Sequence, residues 1–141
     1  MSDSVTIAEA DSLSGYTTGL VKATVDADTM ANLLTLDPTS NEYGVTLANT
    51  ETAITASDLK TLDNATAGTI NASGVTTLTG DLADVKALYE SNVSGGITGL
   101  GNEGITISDA GSVKASDINY VNSNTSGSLT VNKVTTLTGT V

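Results

Sequence analysis

Val75-Thr76-Thr77-Leu78-Thr79-Gly80 recurs as Val134-Thr135-Thr136-Leu137-Thr138-Gly139, an offset of 59 in the numbering. Ala56-Ser57-Asp58 recurs as Ala115-Ser116-Asp117, and Gly68 as Gly127, at the same offset. Laid over each other without a gap, the segments 54–82 and 113–141 share 11 identities in 29 positions. Most of the apolar differences exchange like for like: Ile54 for Val113, Leu59 for Ile118, Leu62 for Val121, Ile70 for Leu129. Self-similarity at a fixed period marks an array of units, each too small to bury its apolar face alone.

Around this segment a short phrase, apolar-Thr-apolar, appears as Val5-Thr6-Ile7, Val45-Thr46-Leu47, Ile105-Thr106-Ile107 and Leu129-Thr130-Val131. Alternation with β-branched residues reads as a half-buried strand. Residues 21–25, 70–72, 75–78 and 97–98 read the same way. Helical spacing separates them. Leu59 and Leu62 lie in 57–63, Leu82, Val85, Leu88 and Tyr89 in 81–90, Ile118 and Val121 in 116–122, and Met30, Leu33 and Leu34 in 28–36. Steps of three and four put each set on one helix face. Thr55-x-x-Asp58 and Asp81-x-x-Asp84 resemble N-terminal caps. Asn64…Gly68, Asn92…Gly95-Gly96 and Asn122…Gly127 read as stops, and Pro38 as the end of the helix over 28–36.

The strands led by Val45, Val75, Ile105 and Val134 follow one another at steps of 30, 30 and 29 in the numbering. The spacing therefore predicts an α/β fold, a repeat solenoid of stacked coils of about 30 residues, each a short helix plus short parallel strands. Gly74, Asn132-Lys133 and Gly101 to Gly104 are its corners, with Gly101 at a positive φ. The whole chain, 1–141, reads as one array: an atypical unit in 1–44, a coil pair in 45–112 and a partial repeat in 113–141. Its expected core is Val45, Leu47, Leu59, Leu62, Val75, Leu78, Val85, Leu88, Ile105, Ile107, Ile118 and Val121.

Composition fits thin layers. The chain has no Phe, Trp, His, Cys or Arg, one Pro, 25 Thr and 15 Ser. Apolar residues make up 38% and mean hydropathy is +0.07, too apolar for a disordered polar tail. Net charge is −11, with the acidic residues scattered singly over a solvated surface. That argues against nucleic acid, whose phosphates need Lys and Arg, and against anionic membranes. No apolar run approaches the ~18 residues of a membrane span, and 1–10 lacks a basic-then-apolar leader. The last copy stops right after its Leu-Thr-Gly, which reads as a cut from something longer.

Motifs with chemistry are few. Gly99-Leu100-Gly101-Asn102-Glu103-Gly104 matches GxGxxG, but a strand follows where a phosphate-holding helix would have to start, so it reads as a glycine corner. Carboxylates pair in sequence at Asp26/Asp28, Asp58/Asp63 and Asp81/Asp84, without an aromatic platform for a sugar. Lack of His and Cys removes the usual general base, thiol nucleophile and most transition-metal ligands. Asn102-Glu103 and Ser108-Asp109 are corners where a weak calcium ion could sit, although no EF-hand or calcium-binding nonapeptide is present. The Asn-x-Ser/Thr triplets at Asn64, Asn71, Asn92 and Asn124 read as turn residues. No catalytic, cofactor or metal residue is assigned.

The phrases at 54–59, 75–85, 96–103 and 134–139 resemble tandem repeats of giant, very acidic bacterial cell-surface proteins, best known from marine cyanobacteria and associated there with non-flagellar swimming. The resemblance covers 45–141 well and the first 44 residues loosely. It implies a secreted or cell-surface location and a role as scaffold or spacer, with no catalytic residues to carry over. The expectation is thus a structural segment of a larger protein, not an enzyme, with neighbouring repeats as its partners and weak end-to-end self-association. An adhesin-like module for a glycan, calcium or a partner protein is the alternative.

Overall fold

The computed structural model describes residues 4–37 and 41–140. Strands and helices alternate: β1 (Ser4–Val5), α1 (Ile7–Tyr16), β2 (Lys22–Val25), α2 (Met30–Leu33), β3 (Glu42–Thr46), β4 (Ala53–Thr55), α3 (Ala56–Ala65), β5 (Ile70–Asn71) and β6 (Thr77–Gly80). There follow α4 (Leu82–Ser94), β7 (Ile97–Thr98), β8 (Gly104–Ile107), β9 (Gly111–Lys114), α5 (Ala115–Asn124), β10 (Leu129–Thr130) and β11 (Val134–Thr138). The class is α/β, and every ladder among the described residues is parallel. Parallel neighbours cannot be joined by a tight hairpin, so a helix or long corner lies between each pair.

Three sheets form, in the orders β1-β2-β3-β5-β7, β4-β6-β8-β10 and β9-β11. In the second sheet Ile54 pairs with Leu78 and Leu78 with Ile105, and all three are buried. The adjacent column, Thr55, Thr79, Thr106 and Thr130, runs in register on the opposite face. Period-two alternation thus turns each apolar-Thr phrase into one oily column and one hydroxyl column. The pairing Ile54↔Leu78 has its counterpart one repeat period on, in Val113↔Leu137.

The ladders do not keep the regular step of the strand-leading residues. Ile54 to Leu78 is a step of 24 in the numbering, and Leu78 to Ile105 one of 27. The strands of the regular spacing also fall in different sheets: β3 in the first, β6 and β8 in the second, β11 in the third. The split falls after β3 and again after β8: each pairs onward with the strand that follows the next helix, β5 or β10, while the chain runs on through β4 or β9 into another sheet.

Helices α3, α4 and α5 pack side by side, joined by a charge ladder. Lys60 Nζ reaches Asp84 Oδ1 at 2.6 Å, and Lys86 Nζ reaches Asp117 Oδ1 at 2.9 Å. In each case the fifth residue of one helix meets the third of the next. The fifth residue of α5 is Asn119, so the ladder ends there. Ser91 on α4 also donates to Asp63 on α3 at 3.0 Å. Partly exposed pairs of this kind are worth little in energy but fix the order of neighbours.

The expected core is buried except for Ile118, which is half-exposed. Ile118 stands where Leu59 stands in the earlier copy, but among the described residues α5 has a helix on one side only. Two further readings change. Val5-Thr6-Ile7 is not a strand: β1 ends at Val5, and Thr6 caps α1. Thr6 Oγ1 accepts the Glu9 N–H at 3.3 Å while Glu9 Oε2 accepts the Thr6 N–H at 2.9 Å, a reciprocal box that lowers the carboxyl's pKa from its ordinary value. The helix expected over 28–36 is a single turn, α2, followed by turn residues that still bury Leu36. Pro38 lies outside the described residues.

Candidate functional site

The GxGxxG corner is the place where polar chemistry goes inside. Gly99 and Gly101 adopt φ of +89° and +138°, and β8 follows directly, so this is the expected corner and not a phosphate loop. Its acid is not at the surface. Glu103 is 0% exposed. One carboxylate oxygen accepts the Gly101 N–H at 2.8 Å and the Asn102 N–H at 3.0 Å, and the other accepts the Tyr89 hydroxyl from α4. A buried carboxylate is tolerable only with its lone pairs occupied, and here the corner wraps its own backbone donors around it. Burial, then the hydrogen bond and charge of Glu103, push the Tyr89 phenol well above its ordinary value.

The corner at residues 41–43 has the same frame and a different filling. There Tyr43 goes inward, donating to the Ala10 carbonyl at 3.1 Å and accepting from Asn41 Nδ2 at 3.0 Å. Thr66 Oγ1 donates to the Tyr43 carbonyl at 2.9 Å and accepts the Gly68 N–H at 3.0 Å. Thr125 Oγ1 does the same with the Glu103 carbonyl, 2.9 Å, and the Gly127 N–H, 2.9 Å. These threonines follow α3 and α5 in extended conformation. Of the three expected Asn/Gly stops, only that of α4 is left-handed, at Gly95 with φ +91°.

Asp81 also departs from expectation. It precedes α4 as the N-cap but makes no side-chain cap bond. It accepts the Ser108 hydroxyl at 2.6 Å, and the free Leu82 N–H goes instead to Asp109 Oδ2, 27 residues away, at 2.6 Å. The helix is capped across the strand layer, which ties the corner after β8 to the start of α4.

This arrangement gives partners to the carboxylates singled out in sequence other than that of Asp58, whose backbone alone is engaged. Asp26 accepts the Ser4 hydroxyl. Asp28 accepts Asn32 Nδ2 and the Thr29 N–H, which lower its pKa in that order of effect. The Asp58 N–H is capped by Thr55 at 3.1 Å, Asp63 accepts from Ser91, and Asp84 takes Lys60. Glu103 and Asp109, the residues of the two calcium corners, are each committed to backbone donors. Among the described residues no group of three or more acidic, His or Cys side chains converges as a metal site would require. Open surface depressions are lined by Leu34, Leu36, Thr61, Asn64 and Ala65, by residues about Lys22, Glu42 and Gly68, and by Val5, Glu9, Ser12, Leu13 and Tyr16. None brings a carboxylate pair against a nucleophile.

The buried acid was missed by the sequence reading, which treats Glu as a surface residue. A signal existed: two backbone donors immediately before it, in a corner whose glycines let the chain close on its own side chain. Tyr89→Phe is expected to lower stability by about 1–3 kcal/mol at neutral pH, because it removes one donor from a buried carboxylate. The phenol's raised pKa favours the protonated folded form. That contribution is whole below the unfolded-state pKa of about 10 and is lost as pH climbs beyond it. Folding stability, read from denaturation at each pH across 9–12, should therefore fall more steeply for the natural protein than for Tyr89→Phe; equal slopes would remove Tyr89 from the account.

Among the described residues no helix is long and apolar enough to cross a membrane. No protein-family model matches the chain, and the comparisons with curated proteins and with solved structures give no match either.

Proposed function

We propose that the chain is a segment of an α/β solenoid whose role is structural: a stiff, acidic spacer within a larger secreted or cell-surface protein, with neighbouring repeats as its partners and without catalysis or nucleic-acid binding. The observation that carries this reading is the paired register, Ile54↔Leu78 and Val113↔Leu137, which recurs at the repeat period of the sequence. A second copy that reuses the same partners is what a stackable unit requires.

Three further features support it. All ladders among the described residues run parallel, so the polarity of one unit is that of the next. The Lys60–Asp84 and Lys86–Asp117 steps join successive helices in the same way. The polar groups with most chemical potential serve caps and corners. A surface of net charge −11 keeps such an array soluble, and salt water screens its self-repulsion within about 8 Å or less. The resemblance of the repeated phrases to bacterial surface-protein repeats points to the same role and supplies the location.

The test is to lengthen the chain in phase. One and then two further copies of residues 81–139 are appended after Gly139, and urea unfolding is followed by circular dichroism. In a stack, stability is a sum of units and interfaces, so both the midpoint and the slope should rise with the first added copy. An added copy that unfolds on its own, leaving the original midpoint unchanged, refutes the stack.

A further inference from the structure

Successive segments of the molecule do not meet each other equally well. Residues 41–65 and 70–94 join through two ladders, β3–β5 and β4–β6, and through α3 and α4 with their Lys60–Asp84 pair. The next joint repeats this, with β5–β7, β6–β8 and Lys86–Asp117 between α4 and α5. The joint ahead of β3, with residues 4–37 on one side and 41–140 on the other, is different. Among the described residues β2–β3 is its one ladder, extended by the single bridge Asp28↔Leu47, and β4 has a strand on one side only. Helix α2 has 4 residues where α3 has 10, and an open depression lined by Leu34, Leu36, Thr61, Asn64 and Ala65 lies between them. Asp58 is third in α3, as Asp84 is in α4, yet among the described residues it meets no lysine. Much of the side-chain bonding across this joint is gathered at one corner. Tyr43 donates to the Ala10 carbonyl at 3.1 Å, Asn41 takes the Val21 N–H at 2.9 Å and reaches Ser14 at 3.1 Å, and Glu42 pairs with Lys22.

We propose that the molecule parts first at this joint: residues 4–37 open away from 41–140 as one unit, while the two-ladder joints behind it stay closed. Where neighbouring segments are held by separate interfaces, opening begins at the interface with the least free energy. One ladder, a one-turn helix and no ion pair between helices make that the joint ahead of β3. Strand β3 itself stays behind, because its other edge is held by β5. The Val45 and Leu47 N–H groups donate to the Thr69 and Asn71 carbonyls, each at 3.0 Å. The Glu42 and Ala48 N–H groups donate across the joint instead, to the Val21 carbonyl at 2.9 Å and the Asp28 carbonyl at 2.8 Å. The same short stretch thus carries amides that the opening frees and amides that it spares. In the spacer proposed above, on which this use rests, the joint is a breakpoint that yields to load before the coils behind it are lost.

The experiment is amide hydrogen exchange of the whole chain, read residue by residue by NMR at a series of low urea concentrations. The Glu42 and Ala48 amides should be protected at least about tenfold less than those of Val45 and Leu47. Their protection should also fall with urea along the same slope as that of the β2 amides, because one opening frees them all. Tyr43→Phe removes the tie to Ala10 and should widen the gap, lowering protection at Glu42 and Ala48 while leaving Leu78 and Ile105 as they were. Equal protection of the four amides, or Val45 and Leu47 exchanging first, would overturn the proposal. So would a Tyr43→Phe variant that loses protection evenly from residue 22 to residue 107. Fraying of α1 alone would leave Glu42 and Ala48 protected, and that result overturns it too. These rates do not depend on added copies, so this proposal and the stack can fail separately.

Discussion

Leu78→Ala is expected to lower folding stability by about 2–5 kcal/mol, and Leu137→Ala by less than about 0.5 kcal/mol. The two leucines sit in the same hexapeptide and pair with equivalent partners, Ile54 and Val113. Among the described residues only Leu78 of the two has a second strand beside its own, with Ile105 opposite and nothing of its side chain left in water. Truncation there loses the transfer free energy of the removed carbons and leaves a cavity between ladders that cannot close without breaking register. At Leu137 the same carbons already face water. Urea denaturation of both variants in dilute solution gives the difference directly. Equal losses would mean that the covering strand contributes nothing and that identity of sequence, not position in the ladder, decides the energy.

Gly68→Ala is expected to cost about 3 kcal/mol or more, at or beyond the upper end of ordinary overpacking. A methyl at Gly68 would lie 2.3 Å from the Tyr43 carbonyl oxygen and 2.4 Å from its carbon. Both obstacles are backbone, so no rotamer change relieves them; the α3–β5 turn must lift away from β3. That motion breaks the Thr66 hydroxyl's bonds to the Tyr43 carbonyl and the Tyr43 amide. Gly15→Ala is the control. Gly15 lies in α1 with nothing near an added carbon, and alanine there should gain about 0.5–1 kcal/mol from helix propensity. Thermal or urea unfolding of both variants checks the contrast, and a small loss at Gly68 would show that the corner yields easily.

What was legible in the sequence follows from range. The oily columns could be read because alternation and helical spacing are local: Leu59 and Leu62, or Ile105 and Ile107, show their burial within a few residues. The α1 helix was open to the same method, since Thr6-Ile7-Ala8-Glu9 is a capping signature, but the apolar-Thr-apolar phrase at Val5 competed with it and drew the reading toward a strand. The partition into three sheets was not legible. It depends on β3 and β8 each pairing onward with the strand after the next helix, and nothing in Gly104-Ile105-Thr106-Ile107 separates that duty from the single one of a sheet edge. The capping of α4 by Asp109 was hidden for a related reason: Asp81 occupies the expected position, and the true acceptor is 27 residues away. Glu103 was read by its residue type, whereas its place is set by the corner that encloses it.

The corner glycines limit how such a chain can change length. Gly68 rests on the carbonyl of Tyr43 and Gly127 on that of Glu103, so a carbon atom at either place would meet the main chain of the neighbouring strand. In the proposed stack, a duplication or deletion spanning a whole period would set each glycine down on another carbonyl of the same kind. One spanning part of a period would set down a residue with a Cβ instead, and that carbon would meet the main chain. The genetic accidents that the proposed array tolerates would therefore be quantised, with reach changing by integer steps.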